Sequence, residues 1–368
     1  MKNYKGVFDL IIIGNGISAY NLLYKISQTE SLRSLKIGMV HSDKLAPGCS
    51  SSIPSIVSQH GTRKGINRLG DTLYDAFFLT KDLVNKCQPE GVEKVCHISL
   101  LPDDIKGRDN FFRRYKTSQN LAFNFWGQEY KREGIIASGY IFHFKNYLNW
   151  LEKEVFINLN LTKLEGFVQK FEILEKNVIN KIELSLLDGK TLFAASVIFC
   201  TGAYTKIFEN TFDNFGAKIG RTQYAPGSII RFKCRKNFKH DSVIVSTRGT
   251  NLYYSGLRGE LFFGSTKARN NAFCNDYLSI KQSYEKFIED INFDFQAPDI
   301  SDGEIVTGVR HKGIQRRPFW GPLLENKNVF IGGIFGLYKS GYSFSHLAAK
   351  DIVDKNLTSF FKYRNKLD

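Results

Sequence analysis

The segment Phe8-Asp9-Leu10-Ile11-Ile12-Ile13 is short, apolar and rich in β-branched residues, the pattern of a strand buried on both faces. It stops at Gly14-Asn15-Gly16-Ile17-Ser18-Ala19, after which Ile17, Tyr20, Leu23 (or Leu22) and Ile26 recur at helical spacing. Leu35–Val40 predicts a second short strand, and Asp71–Lys86 an amphipathic helix with Leu73, Phe77, Leu79, Leu83 and Val84 apolar. Residues 90–135 are aromatic-rich and read as irregular, and Tyr147–Val155 reads as helix. From 163 to 200 the alternation is that of a β-meander: Gly166–Val168, Phe171–Leu174, Lys181–Leu186, then a turn at Asp188-Gly189. The strand Ser196–Cys200 closes this stretch. A strongly β region runs from Gly220 to Lys267, with Ser228–Phe232 and Gly259–Thr266 its clearest strands. Asn328–Ile331 predicts a last buried strand and Ser343–Asp354 a last helix.

Strand, glycine turn, helix, strand is the βαβ unit of a dinucleotide site. Gly14 permits the tight turn, and Gly16 lets a pyrophosphate approach backbone N–H groups at the helix N-terminus. Ala19 stands where a third glycine is usual and need only be small for helix–strand packing. The acidic residue that holds a ribose is missing from its usual place, so either His41 or Asp43 serves.

A length of 368 residues suits two domain-sized cores, and 42% hydrophobic with 24% charged residues is a globular balance. The longest apolar candidate for a membrane span, Leu10–Leu23, is interrupted by Asn15, Ser18 and Asn21, so a soluble protein without a membrane span is expected. Met1-Lys2-Asn3-Tyr4-Lys5 does not resemble a secretory leader, and the six cysteines form no C-x-x-C pair. Reduced thiols in the cytoplasm follow as the expectation. The seven histidines show no zinc-type spacing, so no metal is expected. The net charge of +15 suits a polyanionic partner or a plain lysine-rich surface; the positives are scattered, which favours the surface.

In this order the segments resemble the D-amino-acid oxidase family of FAD-dependent oxidoreductases, which includes glycine and sarcosine oxidases. The resemblance rests on Gly14–Ala19, on Gly48-Cys49-Ser50-Ser51-Ser52, and on Cys200-Thr201-Gly202-Ala203-Tyr204-Thr205, similar to the family's Ala-Thr-Gly-Ala-Trp-Ser. It rests also on Gly308-Val309-Arg310 with Pro318-Phe319-Trp320-Gly321, and on Asn328 to Gly336. Gly313 and Gln315 stand where the family has a Thr and an Asp, and Arg221-Thr222-Gln223 only echoes its Arg-Gly-Gln. Leu252-Tyr253-Tyr254 with Gly264-Ser265-Thr266 is similar to the family's pocket strands, and Gly336–Gly341 is longer by about two residues than usual.

The resemblance implies an α/β protein with a discontinuous Rossmann-type FAD-binding domain (1–85, 136–218 and 302–368) and a β-rich α+β substrate domain (86–135 and 219–301). It implies FAD held by Gly14, Gly16, Ile17, Ser18, Ala19, His41 or Asp43, Ser50, Ser51, Thr201, Gly202, Gly333, Gly336, Lys339 and Ser340. Arg310 would clamp a substrate carboxylate, against the alternative of an ordinary salt-bridge arginine. Tyr253 and Tyr254 are adjacent on a strand, so only one can face a pocket. The implied activity is oxidation of a C–N bond in a small amine or amino acid, with oxygen or another acceptor taking the electrons. Two alternatives stand beside it: a tRNA-modifying FAD oxidase acting on carboxymethylaminomethyl-uridine, and a flavin-binding protein without turnover.

Overall fold

The computed structural model describes residues 7–42, 48–52, 54–60, 62, 64–65, 67–174, 181–214, 222–234, 242–264, 277–293 and 297–364. β1 (Val7–Ile13) runs into α1 (Ile17–Ser27) and β2 (Lys36–His41). The short α2 (Cys49–Ser52) and β3 (Ser55–Ser58) precede the long α3 (Arg68–Cys87). β4 (Val92–Leu100), α4 (Ile105–Tyr115), β5 (Gln119–Phe125) and β6 (Gln128–Phe142) follow, then α5 (Phe144–Phe156). β7 (Asn160–Glu165), β8 (Val168–Leu174), β9 (Lys181–Leu186) and β10 (Thr191–Phe199) lead through a 3-10 turn, Gly202–Phe208, to α6 (Glu209–Asn214). β11 (Gln223–Lys233), β12 (Val243–Thr247), β13 (Thr250–Ser255) and β14 (Glu260–Gly264) precede α7 (Tyr277–Ile291). The chain closes with β15 (Glu304–Lys312), β16 (Phe319–Glu325), β17 (Phe330–Phe335), α8 (Gly341–Ile352) and α9 (Thr358–Arg364).

Two compact units result. The first comprises Met1–Ser51, Lys145–Tyr224 and Arg310–Asp368, and the second Ser52–Phe144 and Ala225–Val309. The first is built on a sheet of order β16-β17-β10-β1-β2-β7, in which β17, β10, β1, β2 and β7 are parallel. Leu10, Ile11 and Ile12 have no exposed surface, as a strand covered on both faces requires. Ile11 and Ile13 pack with Val197, Phe199, Phe208, Phe212 and Ile331.

The second unit is a mixed sheet of order β15-β11-β14-β13-β12-β4-β6-β3, with β5 paired to β6. On one face Ile280, Tyr284, Phe287 and Ile291 of α7 meet Ile230, Phe232, Leu261 and Phe263. The other face gathers Val95, Ile141, Ile229, Ile244, Tyr253 and Phe262. Glu93 on β4 pins several connections, accepting hydrogen bonds from His143, Ser242, Ser255 and the Leu257 N–H. The fold class is the expected α/β sheet with a second, β-rich unit.

Three expectations change. Residues 90–135 are regular, carrying β4, α4, β5 and most of β6. β7 is not part of a meander: it pairs parallel with β2, and the antiparallel run begins at β8. Residues 52–85 group with the second unit, because β3 pairs with β6. Among the described residues, no helix is long and apolar enough to cross a membrane, and no cluster of His, Cys, Asp and Glu could hold a metal.

Candidate functional site

In the first unit the chain leaves β1 toward β2 on one side, while β10 flanks β1 on the other. The carboxyl ends of β1 and β10 therefore mark a topological switch point, where open α/β sheets bind ligands. Gly14 sits there with φ +115°, its N–H donating to Val40 O at 2.8 Å. A Cβ at Gly14 would collide with the Cys200 carbonyl, so the close pass of the β10 end demands glycine as much as the turn does. Among the described residues, a Cβ at Gly16 would meet only Ser50 Oγ, at 3.6 Å. Gly16 is the N-cap of α1 in extended backbone, with no side-chain cap and no acidic residue in the first turn. The segment Ile17-Ser18-Ala19 thus opens α1 with backbone donors, and Ala19 has no exposed surface.

A second helix N-terminus meets the same loop. Ile17 N–H reaches Ser50 Oγ at 3.5 Å, and Tyr342 OH in the first turn of α8 donates to Ser50 O at 3.1 Å. Ser340, the α8 N-cap, makes no side-chain cap, and among the described residues no non-neighbouring atom lies within 4 Å of a Cβ built on Gly341. The helices are joined by Asn21 Nδ2 donating to Ser345 Oγ at 2.7 Å, with Tyr147 OH shared between Asn21 and His346. Burial lowers the His346 pKa to about 4, so the imidazole packs as a neutral ring. Two helix N-termini without a side-chain cap or an acidic residue in their first turns favour an anion there. The bare backbone at Gly16 and Gly341 fits the phosphates of a dinucleotide.

At the end of β10, Thr201 Oγ1 bonds Thr205 Oγ1 at 2.9 Å, and Thr205 donates to Gly202 O at 2.6 Å. Gly202 has φ +54° and, among the described residues, no non-neighbouring atom within 4 Å of a Cβ. His41 ends β2, its carbonyl accepting from Gly166 N–H at 2.7 Å. Ser51 lies in α2. Asp43, Arg221, Ser265 and Thr266 lie outside the described residues.

Arg310, near the end of β15, is 7% exposed, and its guanidinium carbon lies 5.3 Å from the Tyr338 ring centroid. Burial raises the pKa of the Cys49 thiol, while the charge of Arg310 pulls it back. His311 Nδ1 accepts from Gly336 N–H at 3.1 Å, which leaves Nε2 as the protonated nitrogen. That Nε2 is buried without a hydrogen-bond partner among the described residues. Burial, then the charge of Lys206, lowers the His311 pKa to about 4.

The glycine at 313 has a local cause. A Cβ at Gly313 would overlap the Arg317 carbonyl, so the turn that follows excludes threonine. Gln315 and Arg316 continue that turn at φ +51° and +62°. A Cβ at Gly336 would lie 2.9 Å from Gly313 N, so these two backbones touch. At Gly333 a Cβ would enter the Phe335 ring, which makes this glycine a packing requirement. Lys339 is exposed.

In the second unit the pleat separates the two tyrosines. Tyr253 is 1% exposed, stacks on Phe262 at 5.0 Å and donates its OH to Pro54 O at 3.0 Å. Tyr254 joins the opposite cluster beneath α7 and meets Trp126 edge-on at 6.0 Å. Both rings are buried, in clusters on opposite faces of the sheet. A polar network that the sequence reading missed lies on the Tyr253 face of the sheet. His97 bonds Ser58 Oγ at 2.7 Å and Ser246 Oγ at 3.0 Å, and Ser246 bonds Ser99 at 2.8 Å. His60 Nε2–H donates to His97 O at 2.7 Å. Burial is the main cause lowering both histidine pKa values, that of His60 to about 4. The alternation Val95, His97, Ser99 was the available signal.

No model of a protein family matches the chain, and no characterised protein matches it by sequence. Solved structures do match it. Glycine oxidase from Geobacillus kaustophilus aligns over 96% of this chain and 98% of its own, with TM-score 0.66 and 14% identity. L-proline dehydrogenase from P. horikoshii aligns over 97% of both chains, with TM-score 0.68 and 13% identity. L-alpha-glycerophosphate oxidase from Mycoplasma pneumoniae, solved with FAD bound, aligns over 95% and 94%, with TM-score 0.70 and 12% identity. The parallel sheet, its glycine loop and the β-rich second unit therefore have the fold seen in these solved oxidases and dehydrogenase.

Proposed function

We propose that the chain is an FAD-dependent oxidoreductase that oxidises the C–N bond of a small amine or amino acid bearing a carboxylate. The observation that carries this reading is a buried cation, Arg310, in the same compact unit as the dinucleotide loop. The α1 amides after Gly16, with Ser50 and Ser51, would hold the pyrophosphate, and His41 or Asp43 the ribose. Thr201 and Gly202 at the β10 end, and Lys339 and Ser340 at the α8 N-terminus, complete the proposed cofactor contacts. The chemistry supplied by bound FAD is two-electron oxidation with hydride acceptance. The protein's part is orientation: Arg310 holds the carboxylate by parallel charge-assisted bonds and presents the α-carbon. The substrate loses two electrons and becomes an imine, which water converts to a carbonyl compound and the free amine. Oxygen or another acceptor then takes the electrons.

The test is the visible spectrum of the purified protein, followed by anaerobic addition of glycine, sarcosine and D-alanine. A flavin band that bleaches with one of them supports the reading. Replacing Arg310 with Lys keeps the charge but loses the fork, and should lower kcat/KM by about thirty-fold to several thousand-fold with FAD retained. A bound flavin that no amine bleaches overturns it. Salt-sensitive retention on immobilised tRNA without such bleaching would transfer the assignment to an RNA substrate, which the net charge of +15 would suit.

A further inference from the structure

We propose that Tyr338 is a positioning residue that orients the Arg310 guanidinium for a carboxylate, and thereby sets a preference for amino acids over plain amines. The proposal rests on the amine-oxidation reading above and adds to it a residue which that reading does not use. Its first support is contact: the guanidinium of Arg310, itself almost fully buried, lies against the Tyr338 ring. Attraction between a cation and a ring face strengthens as the pair is removed from water.

The second support is backbone strain. Tyr338 holds φ +51°, a left-handed conformation that is costly for a bulky aromatic and that glycine adopts freely. The surroundings enforce it. Gly336, at φ +69°, abuts Gly313; the buried Leu337 forms a bridge with Lys312; and Ser340 N–H donates to Leu337 O at 3.1 Å. An aromatic is thus held where glycine would sit without strain, and strain of this kind collects at functional positions.

The third support is the geometry of the guanidinium group. Its five N–H groups are its only polar donors, and a ring π-face beneath the guanidinium carbon holds the cation in place without taking up any of them.

Tyr338→Gly and Tyr338→Phe, each prepared with FAD, test this. Glycine, sarcosine and D-alanine serve as acids, with methylamine, dimethylamine and ethylamine as their decarboxylated counterparts. Acetate binding is followed separately by calorimetry, which needs no turnover. Tyr338→Gly relieves the backbone, so it should fold normally. Its kcat/KM on the acids should fall about 3- to 30-fold through KM, with acetate affinity falling alike. The amines should be unaffected, and Tyr338→Phe should stay within about two-fold of the native protein. Equal losses on acids and amines, or a Phe variant as impaired as the Gly variant, would overturn the proposal. So would a native protein that binds no acetate or prefers the plain amines. Tyr338-dependent acetate binding in a native protein that oxidises none of the six would uphold the orienting role of Tyr338 and remove the oxidase reading, with the amino-acid preference that rests on it.

Discussion

Gly14 and Gly16 lie two residues apart in one loop and answer to different constraints. Gly14 is held by protein: its φ of +115° and the Cys200 carbonyl both exclude a side chain, and neither backbone can retreat without breaking the β1–β10 pairing. Gly16 has ordinary extended backbone, and a Cβ there is 3.6 Å from its nearest neighbour. The two substitutions should therefore separate folding from cofactor binding. Gly14→Ala is expected to lower stability by about 3 kcal/mol or more, read as a drop in the urea midpoint. Gly16→Val should cost only about 1 kcal/mol, as a poorer N-cap, yet yield colourless protein because the side chain fills the phosphate approach. A yellow Gly16→Val protein would place the dinucleotide elsewhere. Arg310 and the α1 loop were legible because their signals are local in the chain. Tyr338 and His311 were not, because the Arg310–Tyr338 contact and the His311–Gly336 bond join positions 28 and 25 residues apart.

At the scale of elements, β1, α1 and β2 could be read directly, since a doubly covered strand and a one-sided helix leave unmistakable periods. β5 and β6 escaped because much of each strand is exposed. Their hairpin also turns through Trp126 and Gly127 at φ +54° and +81°, with tryptophan where Asn or Asp is the usual cue. β4 was missed for a related reason: its inward positions include His97 and Ser99 as well as Val95. Its Glu93 shows how such polar strands are secured. Burial alone would raise the carboxyl pKa, but hydrogen bonds from His143, Ser242, Ser255 and Leu257 N–H outweigh it and hold the pKa near 2. The unfolded value lies near 4.5, so the ionised group stabilises fully above that pH and its contribution is lost as pH falls toward 2. Glu93→Gln should destabilise by about 2–3 kcal/mol at pH 7. The gap to the native protein should narrow between pH 4.5 and pH 2, which paired urea titrations would follow. A gap independent of pH would show that shape, and not charge, holds these connections.

The molecule as a whole carries its acid sensitivity in imidazoles. His60 and His97 belong to one compact unit, His311 and His346 to the other. Burial leads the causes in all four, lowering His60, His311 and His346 to about 4 and His97 well below its ordinary 6.5. Above pH 6.5 folded and unfolded chains both carry them neutral, so they add no pH dependence. Below it the unfolded chain takes up protons that the folded chain refuses, and stability falls until the folded rings titrate near pH 4. Each such proton contributes about 1.4 kcal/mol per pH unit, so three or four together contribute about 4–5. A stability of 5–15 kcal/mol, usual for a domain, is exhausted within roughly one to three units. The net charge of +15 adds self-repulsion in the same direction. The expected outcome is a steep loss of the urea midpoint between pH 6.5 and pH 4.5, in both units together. His346→Gln should flatten that slope by about 1.4 kcal/mol per pH unit while leaving His60 and His97 to act on the other unit. A midpoint that stays level over this range would mean that the four rings accept protons while folded, and the buried seams built on Tyr147 and Ser246 would then have to be open to water.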